Sequence, residues 1–144
     1  LIKDCADAFN LKIQERNGTL KLELNARSQY ILGDREMLAQ AINNIIDNAE
    51  KYSPDQPRIT VSTIDNGKDI EIVVSDEGIG ISSDAKTKVF EKFFRVSTGN
   101  IHSVKGFGLG LSFVKNVIEK HRGRIKLFSK LNQGTEVRII LPKA

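Results

Sequence analysis

Three short stretches carry residues whose types and spacing could do chemistry. In Asp76-Glu77-Gly78-Ile79-Gly80-Ile81, a carboxylate ends an apolar strand and glycines follow at once. A charged acceptor there could take a hydrogen bond from an exocyclic amine, worth about 1.5–3 kcal/mol. The glycines would let backbone approach a flat ligand, although a strand-ending turn uses the same residue types. The second stretch, Gly106-Phe107-Gly108-Leu109-Gly110-Leu111-Ser112, opens a helix. Free N–H groups and the positive end of a helix dipole suit a phosphate. The stretch lacks the preceding strand of a dinucleotide fingerprint and the Gly-Lys-Ser/Thr of a P-loop, so its glycines alone are weak evidence. The third runs from Asn44 to Tyr52 on a long helix. At about 100° per residue, Asn44, Asn48 and Lys51 share a face beside an apolar stripe of Leu38, Ile42, Ile45 and Ala49. Two amide oxygens could ligate Mg²⁺ and the ammonium could meet phosphate, with a solvated amide face as the alternative. Together the three supply a base reader, a metal–phosphate clamp and a phosphate cradle. No structural requirement predicts all of them in one small domain.

The elements that must position these residues follow from periodicity. Ile2, Cys5, Ala6, Phe9 and Ile13 recur at helical spacing and predict a helix over about Leu1 to Arg16. Alternation predicts a strand at Leu20 to Leu24 and a short one at Gln29 to Leu32. Asp34 is placed to cap a helix from Arg35 to Tyr52. Strands through Ile59–Thr63 and Ile70–Val74 flank an Asn66-Gly67 turn and read as a hairpin. A short helix ends near Phe90, a helix covers about Gly108 to His121, and strands Arg124–Ser129 and Thr135–Leu141 close the chain. The stretch Arg95 to Lys105 has little pattern, as functional loops often do. Helices mixed with hairpins, rather than strict alternation, predict an α+β two-layer sandwich with a mixed, mostly antiparallel sheet and helices on one face.

A length of 144 residues suits one domain, so a single domain over 1–144 is expected. The apolar fraction of 40% allows one real core. No apolar run approaches the ~18–20 residues that cross a bilayer, and no signal peptide opens the chain. Cys5 stands alone, which excludes a disulfide framework and a cysteine zinc site. The chain starts at Leu1 and its one methionine is Met37, as expected of a piece of a longer protein. A net charge of +4 and a pI near 9.2 leave a polyanion partner open. The basic stretch Lys120-His121-Arg122, with Arg124 and Lys126, reads as a helix end running into a solvated strand face. No interleaved aromatics suit base stacking, so nucleic acid is a poor fit.

Taken in order, these motifs resemble the catalytic, ATP-binding domain of a sensor histidine kinase, within the group shared with DNA gyrase, a heat-shock chaperone and a mismatch-repair ATPase. The resemblance covers essentially the whole chain. Its N box falls on Asn44 to Tyr52 and its first glycine box on Asp76 to Gly80. Its F box falls on Phe90-Glu91-Lys92-Phe93-Phe94-Arg95, and its second glycine box on Gly106 to Leu111. Gly134-Thr135 stands where a last glycine box is expected. The resemblance implies a Bergerat-type fold with a mobile ATP lid over about residues 95–107. It implies that Asp76 holds the adenine amino group with Thr135 in support, and that Gly78, Gly80 and Ile81 lie along the base. Asn44 and Asn48 would bind Mg²⁺, Lys51 and Arg95 would face phosphate oxygens, and Tyr52 would lie against the nucleoside. Gly106, Gly108, Leu109, Gly110 and Leu111 would cradle the phosphates. Phe90 is expected to be core, with Phe93 or Phe94 facing a partner domain.

In the gyrase and chaperone branch, a glutamate that activates water stands where this chain has Asn44. An amide cannot take that proton, so ATP binding with little hydrolysis is expected. Asp47 and Glu50 are expected on a different helix face. Neither His102 nor His121 has an acceptor's context, and His121 reads as a cap on helix-end carbonyls. The implied function is donation of the γ-phosphoryl group of Mg-ATP to a histidine on a separate dimerisation domain, with a response regulator as indirect partner. A cytoplasmic location, no nucleic-acid partner and no membrane contact by this piece are expected. The alternatives are a nucleotide-gated interaction module without catalysis and a basic nucleic-acid binder.

Overall fold

The computed structural model describes residues 1–27, 30–91 and 110–144. Helix α1 (Ile2–Glu15) turns Cys5, Ala6 and Ile13 inward, as their spacing predicts. Strand β1 (Thr19–Leu24) follows. Tyr30 to Leu32 form no strand, and Tyr30 and Leu32 are exposed, which corrects the expectation for Gln29 to Leu32. With no partner strand, alternation alone does not make a strand. Helix α2 (Arg35–Lys51) starts at Asp34, whose carboxylate accepts from the Met37 N–H at 3.0 Å. Strands β2 (Arg58–Asp65) and β3 (Asp69–Asp76) form the expected hairpin. Helix α3 (Ser83–Lys86), helix α4 (Gly110–Lys120), β4 (Arg124–Lys130) and β5 (Gly134–Pro142) complete the elements.

The sheet order is β1-β2-β3-β5-β4, with β1 parallel to β2 and the other pairs antiparallel. Register sorts the side chains into two faces. On one face Leu22, Val61, Val74, Val137 and Leu127 stand in a cross-strand row. These join Ile42, Ile45 and Ile46 of α2 and Val114, Val117 and Ile118 of α4 in one apolar cluster. Val73 and Ile140, buried on the other face, lie outside that cluster. The described helices that share this cluster therefore pack on one face of the sheet, and the α+β two-layer sandwich stands as expected. Phe90 is half-buried against the cluster, with the Lys115 ammonium 5.7 Å from its ring centre.

His121 ties the end of α4 to the start of α2. Its Nε2 accepts from the Asp34 N–H at 2.9 Å, which leaves Nδ1 to donate to the Val117 carbonyl at 2.7 Å. Its expected role as a carbonyl cap is borne out. At the other end of α2, Arg16 reaches across from the end of α1. Its Nη1 donates to the Glu50 carbonyl at 2.8 Å and to Glu50 Oε1 at 2.6 Å, and its Nη2 donates to the Ser53 carbonyl. The Glu50 carbonyl, in the last turn of α2, also accepts from the Ser53 N–H at 3.3 Å, and Ser53 lies just past the helix end. Glu50 is buried, and Lys12 meets its Oε2 at 2.9 Å. Burial pushes the Glu50 carboxyl up, but the hydrogen bonds and charges of Lys12 and Arg16 pull it below its ordinary value.

Candidate functional site

The helix-facing side of the sheet ends in a row that turns from apolar Ile59 to polar Asp76, Thr135 and Ser129. Ile59 pairs with Asp76, Asp76 with Thr135, and Thr135 with Ser129, so these side chains follow one another across four strands at the edge of the apolar cluster. Asp76 Oδ1 accepts from the Gly78 N–H at 2.8 Å. Burial pushes the Asp76 carboxyl from its ordinary 3.8 to about 6, against the pull of the Gly78 and Thr135 backbone N–H groups. Among the described residues no cation pairs with this carboxylate. It is the kind of acceptor that needs an outside donor when ionised.

The loop after β3 is clamped between α2 and the β4–β5 turn. The Ile79 N–H donates to the Tyr52 carbonyl at 3.0 Å, and the Asn132 N–H donates to the Ile79 carbonyl at 2.6 Å. A Cβ at Gly78 would stand 2.3 Å from the Tyr52 carbonyl oxygen. Gly80 has φ +69, and a Cβ there would stand 1.9 Å from the Lys130 carbonyl oxygen. Both glycines are required by backbone crossing backbone, a packing reason that holds with or without a ligand. The Ile81 side chain packs against the core and its N–H donates to Ser129 Oγ at 2.8 Å.

On α2, the Asn44 amide nitrogen donates to the Gln40 carbonyl at 2.9 Å, which leaves its oxygen as the atom for a cation. Asn48 lies one turn on and is half-buried. Among the described residues no cluster of His, Cys, Asp and Glu could hold a metal by itself. Amide oxygens with waters and ligand phosphates suit Mg²⁺, so the residues present fit that ion. Lys51 Nζ donates to Asp47 Oδ2 at 2.6 Å, and Lys12 Nζ stands 3.9 Å from Asp47 Oδ1. Lys51 is therefore engaged on the Asp47 side of the helix as well as lying next to the amides. Glu50 faces Lys12 and Arg16, whereas Asp47 lies between Lys12 and Lys51. Tyr52 ends the helix at the edge of the Gly78 loop.

Gly110 opens α4 with φ +42, and Leu111 is buried in the core cluster, where it packs. Arg95, Gly106, Gly108 and Leu109 lie outside the described residues, as do the expected lid, Phe93, Phe94 and His102. Periodicity did not single out Ser129, Arg16 or Asp47. The signal for Ser129 was a small polar residue at the third helix-facing position of Ile125-Leu127-Ser129, where an apolar one continues the row. A predominantly apolar cleft of about 500 Å³ lies at the opposite end of the sheet, bordered by Leu24, Ile31, Leu38, Ile70 and Leu141. Its lining also includes Lys3, Arg35 and Thr63, and does not include Asp76, Asn44 or Asn48.

Residues 33–144 match the family model described as histidine kinase-, DNA gyrase B-, and HSP90-like ATPase. The chain belongs to this ATPase family. Among its relatives, the sensor protein RprX of Bacteroides fragilis is 42% identical over 99% of this chain and 28% of RprX. The sensor-like histidine kinase SenX3 of Mycolicibacterium smegmatis is 38% identical over 92% of this chain and 35% of SenX3. The solved catalytic domain of the histidine kinase ThkA, in a nucleotide-free form, is 26% identical with a TM-score of 0.84, covering 99% of this chain and 91% of that one. The chain thus spans about a third of the length of these curated relatives, and most of a catalytic domain. Its Bergerat-type α+β sandwich is the architecture of histidine kinase catalytic domains. The family match spans Asp76, Gly78, Gly80, Thr135 and the amide face of α2. Among the described residues no helix is long and apolar enough to cross a membrane.

Proposed function

We propose that the chain binds Mg-ATP with its adenine against Asp76 and presents the γ-phosphoryl group to a histidine on a separate dimerisation domain of a two-component sensor histidine kinase. The observation that carries this reading is the Asp76 carboxylate, a largely buried acceptor without a cation partner among the described residues, at the end of β3. Thr135 stands beside it in register. Gly78, Gly80 and Ile81 would line the base edge of the pocket, and Tyr52 the nucleoside. Asn44 and Asn48 would hold Mg²⁺, which supplies charge neutralisation on the phosphates. Lys51, shared with Asp47, and Arg95 would meet phosphate oxygens, with the glycines from Gly106 to Gly110 and the start of α4 as cradle. Leu111 would support that cradle from the core.

Phosphoryl transfer asks for position and charge more than for covalent chemistry by the donor domain. An acceptor imidazole nitrogen would form the bond to phosphorus as the bond to the ADP oxygen breaks. The aspartate of a response regulator would take the phosphoryl group next. The setting is cytoplasmic, without a nucleic-acid partner and without membrane contact by these residues.

Calorimetric titration with ATP and Mg²⁺ is expected to show saturable one-to-one binding. Addition of the separately produced dimerisation domain and labelled ATP is expected to label its histidine. Binding without labelling would make this a nucleotide-gated interaction module, and no binding by folded protein would overturn the ATP site itself. Asn48→Ala is expected to remove most of the Mg²⁺ dependence of ATP affinity, read as the ratio of affinities with and without the metal. An unchanged ratio would take Asn48 out of the metal site.

A further inference from the structure

Ser129 is a buried hydroxyl with three polar neighbours. The Ile81 N–H lies 2.8 Å from its Oγ, the Gly134 carbonyl oxygen 2.9 Å, and the Thr135 hydroxyl 2.8 Å. A hydroxyl has one proton to give and two lone pairs. The Ile81 N–H can only donate and the Gly134 carbonyl can only accept. The single Ser129 proton therefore goes to Gly134. The Ser129–Thr135 contact must then be made with the Thr135 proton, so the Thr135 hydroxyl donates inward. Each Ser129 hydrogen-bonding position is satisfied in this arrangement, as burial requires.

We infer that Ser129 sets the polarity of the Thr135 hydroxyl, and through it the preference of the site for a 6-amino over a 6-oxo purine. With its proton held inward, Thr135 has only lone pairs left for the pocket. Asp76, its cross-strand neighbour on the same face, is an acceptor as well when ionised. An edge made of two acceptors suits an exocyclic amine, which has two protons, and repels a carbonyl oxygen. Without Ser129 the Thr135 proton is free to turn outward and donate to that oxygen. Ser129 acts through Thr135, so it is a positioning residue. The inference rests on the reading above in which the base meets Asp76.

ATP and inosine triphosphate distinguish the two edges, because they differ only at the amine-or-carbonyl position and the adjoining ring nitrogen. Their dissociation constants would be measured by calorimetry, with Mg²⁺, for the 144-residue chain and for Ser129→Ala. The wild type is expected to prefer ATP, and the variant to narrow that preference about tenfold, the scale of one hydrogen bond gained by the wrong base. Equal weakening of both nucleotides, or an unchanged ratio, would make Ser129 a packing residue and overturn the inference. If circular dichroism shows Ser129→Ala unfolded, Thr135→Val carries the same test. It removes the outward acceptor and is expected to narrow the ratio, and an unchanged ratio would again overturn the inference. A wild-type chain that bound neither nucleotide would overturn the ATP reading and this inference together, whereas an unchanged ratio overturns the inference alone.

Discussion

Asp76→Asn is expected to weaken ATP binding by roughly ten- to 150-fold, the cost of exchanging a charged acceptor for a neutral amide. Its effect on stability should run the other way. Burial raises the carboxyl of the folded protein from 3.8 to about 6, so the folded state holds the proton more tightly than the unfolded chain does. Stability from this group is full below about pH 3.8 and is lost as pH rises through about 6. The asparagine variant has no such loss. It should gain on the wild type by about 1–3 kcal/mol between acid and neutral pH, since each tenfold difference in proton affinity between the folded and unfolded states is worth about 1.4 kcal/mol. Urea melts at several pH values, beside ATP titrations of the same samples, read both effects. Wild-type affinity should also fall as pH drops below about 6, where the carboxylate becomes protonated, while the variant stays flat across that range. A variant that bound ATP as tightly as the wild type would remove Asp76 from the site.

Arg16→Ala is expected to cost about 2–4 kcal/mol, because it removes one of the two cations that hold the buried Glu50 carboxylate. The substitution deletes the partner at Glu50 Oε1 and the Arg16 hydrogen bonds to the Glu50 and Ser53 carbonyls. Lys12 remains on the other oxygen, which keeps the loss at the lower end of that range. The sign of the pH dependence is opposite to that of Asp76. The Glu50 carboxyl is held below its ordinary value in the folded protein, so its contribution is present above the unfolded value and lost as pH falls through the folded one. The gap between wild type and variant should therefore close in acid. A denaturation midpoint within error of wild type at neutral pH would show that the α1–α2 ion pairs are spectators. Because Tyr52 follows directly and its carbonyl takes the Ile79 N–H, the same variant should loosen the Gly78 loop and weaken ATP binding.

Much of this protein was legible before the fold was known. The hairpin of β2 and β3, the Asp34 cap and the apolar stripe of α2 rest on local periodicity and local hydrogen bonding, which depend on residues a few positions apart. The N box and the glycine boxes are contiguous strings, so their order along the chain sufficed to point to an ATP-binding domain. The strand expected at Gln29 to Leu32 failed for Tyr30 to Leu32 because a strand is made by its neighbour, and alternation does not supply one.

The sequence by itself determined most element types and the alternation that sorts strand residues onto two faces, and it marked Asp76 at the end of β3. Only the tertiary structure decided which polar groups meet. Arg16 and Glu50 are 34 residues apart, and Ile81 and Ser129 are 48 apart. Nothing in a periodic pattern selects one buried partner among many. That choice is made when burial removes water and each donor and acceptor must be satisfied by whatever the packing of α1, α2 and the sheet has brought within reach.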